Sequence, residues 1–169
     1  MAAASLEAKV KALEERLERL EDQEKIRECM ARYSFNADLG RSEEYVGNYT
    51  PDGVIDLGPT QRWAGKDQLL DFIANPHGGH KAIEGKCMHT SLDFFIRIKG
   101  NKAWAEGYSV VFTKQPGTPE MDGYKVFSIG FNHWQFEKKD DRWFLKHRLR
   151  RPMGGTEWGG KVVKEYLKG

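Results

Sequence analysis

Five histidines, at positions 77, 80, 89, 133 and 147, are the groups of this 169-residue chain best suited to move a proton near neutral pH. His77-Gly78-Gly79-His80 has the outline of a metal pair. No Cys or acidic residue stands at zinc-ligand spacing around it, so the segment reads as a pocket-rim loop whose His80 could touch a substrate. His133 lies in Phe131-Asn132-His133-Trp134, where strand alternation turns inward either His133 or the Asn132/Trp134 pair. Cys87 and His89 are two residues apart and share a strand face; Cys87 reads as a small pocket-lining side chain. Taken singly, His89 reads as a hydrogen-bonded core histidine, and Asp38, followed by Leu39-Gly40, as the end of a helix. In Lys146-His147-Arg148-Leu149-Arg150-Arg151, alternation places Lys146, Arg148 and Arg150 on one face. Either the three guard a sheet edge, or Arg148 supplies positive charge to a pocket. Tyr33 and Tyr49 carry hydroxyls that can donate to a substrate oxygen. No Gly-x-Ser-x-Gly, P-loop or dinucleotide fingerprint is present, and neither metal nor cofactor is expected.

Composition narrows the classes of partner. The net charge is +2, from 27 basic and 25 acidic residues, which argues against a nucleic-acid or membrane-surface protein. No apolar run approaches the roughly 18–20 residues that span a bilayer. Glu7, Lys9 and Lys11 fall where a secretory signal would need its apolar stretch. Two cysteines, Cys29 and Cys87, in no metal-like spacing suit a reducing cytoplasm. A soluble, intracellular, single-domain protein is the expectation that is left.

Three units organise the chain: an N-terminal amphipathic helix (1–21), a pocket domain (22–152) and a C-terminal tail (153–169). Leu6, Val10, Leu13, Leu17 and Leu20 follow at spacings of 4, 3, 4 and 3, a short heptad stripe. It either lies on its own domain or joins subunits, and the regular spacing favours assembly. The phase breaks at Asp22, read as the cap of a second helix over 23–38, and residues 42–49 read as a third. Short strands are expected at 54–57 and 61–64, a helix at 68–75, and long strands at about 87–99, 103–115, 124–138 and 143–151. The loop Pro116–Gly123, the pairs Gly154-Gly155 and Gly159-Gly160, and a helical end at Val162–Leu167 complete the reading. Helices followed by a run of long strands predict an α+β fold with helices packed on one curved antiparallel sheet.

The order of elements and motifs resembles the SnoaL-like, scytalone-dehydratase-like branch of the nuclear transport factor 2-like superfamily. The resemblance is carried by Leu20-Glu21-Asp22-Gln23-Glu24-Lys25-Ile26, Ala31-Arg32-Tyr33 and Ala37-Asp38 at the start, and by Tyr49-Thr50-Pro51-Asp52-Gly53 and Trp63-Ala64-Gly65-Lys66 next. Cys87-Met88-His89 and Asp141-Arg142-Trp143-Phe144-Leu145-Lys146-His147-Arg148 complete it. It implies a strongly curved sheet forming a cone-shaped pocket closed by the N-terminal helices, a cystatin-like α+β barrel. It also implies that Asp38 pairs with His89 as a general base, with Arg148 and Tyr33 as further catalytic groups. Where such proteins often carry Asn four residues after the His, this chain has Asp93.

The expected activity is that of a cofactor-independent lyase acting on a hydrophobic, hydroxylated aromatic compound, by dehydration or by retro-aldol-type loss of a small aldehyde. An isomerase or polyketide-type cyclase with the same base, and a non-catalytic ligand-binding module, are the alternatives. Tyr49, Cys87, Asp93, Phe112, Phe131 and Trp134 are the expected substrate-contacting residues, the aromatic richness of the strands suiting a flat ligand. The resemblance further implies a homodimer or homotrimer.

Overall fold

The computed structural model describes residues 5–115, 117, 123–155 and 161–166. Most of the loop 116–123, the pair Gly159-Gly160 and Leu167 lie outside these described residues. Helix α1 (Leu6–Asp38) leads into α2 (Ser42–Val46), strands β1 (Tyr49–Gly58) and β2 (Gln61–Ala64), and α3 (Lys66–Ala74). Strands β3 (Cys87–Lys99), β4 (Lys102–Lys114), β5 (Tyr124–Lys139) and β6 (Arg142–Pro152) follow, and then α4 (Lys161–Tyr166). No helix among the described residues is long and apolar enough to cross a membrane.

One correction concerns the N-terminal helices: they are a single helix of 33 residues, with no break at Asp22. Ser5 caps it, its side chain accepting from the Ala8 N–H at 3.2 Å. Asp22 does not cap anything. Its carboxylate is buried and accepts from the indole Nε1 of Trp143 and pairs with Lys138 Nζ, both at 2.9 Å. A polar residue that looks like a helix start in sequence is thus held in mid-helix by partners more than a hundred positions away. Beyond Asp22, Ile26, Met30, Tyr33 and Ala37 recur at helical spacing and enter the core. Before it, Leu6, Leu13, Leu17 and Leu20 are exposed, so the heptad stripe does not lie on its own domain. Gly40, at φ 67°, lets the chain turn out of α1 in the left-handed region.

The six strands form one sheet in the order β2-β1-β6-β5-β4-β3. Two further corrections follow. The sheet is mixed rather than antiparallel, because β1 and β6 run parallel, and it is open at β2 and β3 rather than closed into a barrel. The reason is the route of the chain. After β2 it crosses through α3 to the far edge, meanders back through β3, β4 and β5, and meets β1 from the same end. The turn Asp140-Asp141, both residues at positive φ, is a two-residue hairpin connection between β5 and β6. Register shifts at 92/95, 111/112 and 135/136 mark bulges in the long strands, and bulges bend a sheet. Gly107 faces the first of these, where a Cβ would stand 2.4 Å from the Cβ of Phe94.

Helices α1, α2 and α3 cover one face of this sheet around a core that includes Ile26, Tyr45, Ile55, Leu69, Phe136, Trp143 and Leu145. The opposite face receives α4 through Tyr166, whose ring stacks on His133 at 4.0 Å.

Candidate active site

The last turn of α1 and the first residues of β3 meet at Asp38. Its Oδ1 lies 2.6 Å from His89 Nδ1, and its two oxygens accept the backbone N–H of His89 at 3.1 and 3.0 Å. Cys87 Sγ donates to Oδ1 at 3.4 Å. The backbone closes the arrangement, since the Gly85 N–H donates to the Asp38 carbonyl at 3.0 Å. A carboxylate that already accepts from a main-chain N–H and a thiol also accepts from Nδ1, which fixes that proton on Nδ1 and leaves His89 Nε2 for a substrate. His80 stacks on His89 with ring centroids 5.8 Å apart. Burial, and then the neighbouring His89, push the His80 pKa down to about 4, so His80 is a neutral ring at pH 7.

The same cavity is reached from β6. It has a volume of about 410 Å³, and its wall includes Trp63, Phe72, Phe127, His80, His89 and Arg148. Arg148 is buried: its Nε donates to Asn132 Oδ1 at 3.1 Å and its Nη1 to the Tyr33 hydroxyl. Asn132 is held in turn by Ser109 Oγ at 2.8 Å. Tyr33, Tyr45 and Tyr49 pack together behind Arg148, with centroids 5.0 to 6.2 Å apart. Burial raises the Tyr45 and Tyr49 pKa values well above the ordinary range, so their hydroxyls stay protonated.

Among the described residues, Asp38, Cys87 and His89 form a cluster whose donor atoms could hold a metal ion, all lying within 4.8 Å of one another. Its geometry is that of a hydrogen-bonded group. Two ligands bonded to one zinc ion stand more than about 3 Å apart, farther than the 2.6 Å between Asp38 Oδ1 and His89 Nδ1. Burial and the Asp38 charge also push the Cys87 thiol up to about 12, against both thiolate ligation and nucleophilic use. Of the His77-Gly78-Gly79-His80 segment, Gly78, Gly79 and His80 line the cavity.

The SnoaL-like domain family matches residues 18–149, most of the chain and all of the site residues just described. The chain belongs to the SnoaL-like domain family. This SnoaL-like domain is similar to a solved NTF2-like protein with a cystatin-like fold from Novosphingobium aromaticivorans, at 25% identity, covering 98% of this chain and 99% of the other with a TM-score of 0.79. It is similar in fold to a putative scytalone dehydratase from the same organism, at 17% identity, 80% and 86% coverage and a TM-score of 0.65. LinA shares the fold at 14% identity, 81% and 89% coverage and a TM-score of 0.67. A search of the curated proteins found no match.

Of the residues singled out in the sequence, the SnoaL-like domain brings His89 and Arg148 to one cavity wall, with Asp38 behind the first and Tyr33 behind the second. Tyr49 is buried behind Arg148, and Trp134 is in the core against Phe94, so neither reaches the cavity. Asp93 sits at positive φ in the first bulge and is exposed, turned away from the pocket. Phe112 lines a separate surface groove with Met88 and Tyr124, and Phe131 packs on Tyr166 on the opposite face. Between the two options for β5, Asn132 and Trp134 face inward and His133 outward, where it pairs with Glu106 at 2.9 Å. Lys146 reaches Asp52 instead of joining Arg148, because the register shift in β6 interrupts the alternation. Ser109 and Ser128 were not anticipated, and Asn132 and Arg150 were placed on strand faces without being assigned to the site.

Proposed function

We propose that this chain is a cofactor-independent lyase in which His89, oriented by Asp38, is the general base. His89 Nε2 takes a proton from a hydrophobic, hydroxylated aromatic substrate, and Arg148 stabilises the oxyanion that develops. Asp38 stabilises the imidazolium formed, and Tyr33 and Asn132 hold the guanidinium in place. In a dehydration the imidazolium returns its proton to the departing hydroxyl, which leaves as water. In a retro-aldol cleavage the base removes a hydroxyl proton, the adjacent carbon–carbon bond breaks, a small aldehyde departs, and the imidazolium returns the proton to the carbon that keeps the electron pair. The observation that carries the proposal is the 2.6 Å Asp38–His89 contact on a wall shared with a buried arginine. Membership of the SnoaL-like family supports it.

The test is incubation with a panel of hydroxylated aromatic compounds without added cofactor, followed by ultraviolet absorbance and mass spectrometry. A product lighter by water or by an aldehyde, absent with His89→Ala, is expected. Conversion without change of mass would move the assignment to an isomerase, and no conversion of any compound would leave a binding module.

We also propose that the chain assembles with itself through the first half of α1. The exposed stripe of Leu6, Val10, Leu13, Leu17 and Leu20 at heptad spacing supports a second copy as its cover, since a/d residues pair with the same pattern on another helix.

A further inference from the structure

Arg150 follows Arg148 on the inward face of β6, and both line the 410 Å³ cavity. Buried charges are ordinarily paired. The neighbouring Arg151 obeys the rule, its Nη1 standing 2.6 Å from Asp56 Oδ1 on the other face. Arg148 and Arg150 do not: among the described residues neither has a carboxylate within 4.0 Å, and their partners are the neutral oxygens of Asn132, Tyr33, Ser109 and Ser128. Asp71, the acidic residue of the same wall, is bonded to Asn75 instead. The arrangement around Arg150 is specific. Nε donates to Ser109 Oγ at 3.3 Å and Nη2 to Ser128 Oγ at 2.6 Å, which leaves Nη1 without a bonded partner among the described residues. Ser128 Oγ accepts from Arg150, so its own O–H is available to the cavity, whose wall it shares.

We propose that Arg150 Nη1 and the Ser128 hydroxyl form a receptor for a carboxylate carried by the substrate, which selects aromatic acids over their neutral analogues. Burial and the adjacent Arg148 charge lower the Arg150 pKa to about 10, still protonated at neutral pH, and an anion held there would offset the repulsion between the two cations. A guanidinium matches a planar carboxylate better than a point charge does. The aromatic side chains Trp63, Phe72 and Phe127 on the same wall suit the flat body of such an acid. The inference deepens the lyase reading by naming a substrate class, but the receptor works whether or not His89 is a base.

The experiment measures binding of trans-cinnamate and trans-cinnamamide to the full chain by calorimetry. Cinnamate is expected to bind at least ~10-fold more tightly, and added salt to weaken cinnamate but not the amide. Arg150→Gln is expected to abolish that preference, leaving amide binding within about twofold, and Arg150→Lys to keep a reduced preference. His89→Ala is expected to keep it in full, which separates failure of the receptor from failure of the base. Equal affinities for acid and amide, no binding of either, or a preference that survives Arg150→Gln would overturn the proposal. The salt titration of the unaltered chain decides the matter even if Arg150→Gln fails to fold.

Discussion

Asp38 holds His89 at two points, its carboxylate accepting both the main-chain N–H and the ring Nδ1 of the same residue. Backbone position and ring orientation are therefore set by one side chain. Asp38→Asn is expected to lower turnover by about 10²–10⁴-fold, since an amide does not stabilise an imidazolium. His89→Ala is expected to lose turnover with little change in melting temperature. Asp38→Ala is expected to lose turnover and also about 1–3 kcal/mol of stability, because it leaves a main-chain donor without its acceptor. Denaturant titration alongside the rate assay checks the difference. Equal stability of the two alanine variants would show that the second contact contributes nothing.

Tyr33 acts through Arg148. Tyr33→Phe removes the oxygen that accepts from Nη1 and leaves a buried cation short of one partner. A loss of about 1–3 kcal/mol in unfolding free energy is expected, together with a fall in kcat larger than any change in KM. A variant as stable as the parent would mean that the guanidinium finds another acceptor.

His80 gives the fold a dependence on acid. Its folded pKa, about 4, lies below the ordinary value of 6.5, so the unfolded chain binds the proton more readily. The stability due to its neutral form is present above pH 6.5 and is lost as pH falls through that value towards 4. Discounted for partial exposure, the loss is about 1–2 kcal/mol. His80→Phe keeps a ring against His89 and removes the titration. Its stability is expected to fall less between pH 7 and 4 than that of the parent, and parallel curves would show that His80 is not responsible.

Removal of residues 1–20 deletes the exposed stripe and leaves the buried half of α1 in place. Light scattering is expected to show a smaller particle after truncation, with the folded core retained by circular dichroism. A monomeric full-length chain, or an unchanged mass, would count against the stripe as an assembly surface.

The long strands were readable because their alternation is bounded by turn residues: the stretches expected at about 124–138 and 143–151 flank the turn at Asp140-Asp141, and the ladders close around it. What could not be read depended on distant partners. Asp22 resembles a local cap, and only Trp143 and Lys138 explain why it sits in mid-helix. Bulges were the other obstacle. One extra residue turned Asp93 out of the pocket, and another sent Lys146 to Asp52. The Asp38–His89 contact was legible through family resemblance, since nothing in the sequence that separates them by 51 positions marks a pairing. Arg150 was visible as a face of a strand, but its missing counter-ion is a property of three-dimensional space.

Because α1 is continuous, its 33 residues form a rod about 50 Å long that has two separate tenants. One end carries the carboxylate that orients His89, and the other carries the bare leucine stripe, with the Asp22 clasp to Trp143 and Lys138 between them. A foreign helix spliced in phase ahead of Leu6 would be carried as a stiff extension, its direction inherited from the clasp. The pocket would thereby gain a mast on which a tag, a label or a second enzyme could be mounted at a chosen bearing.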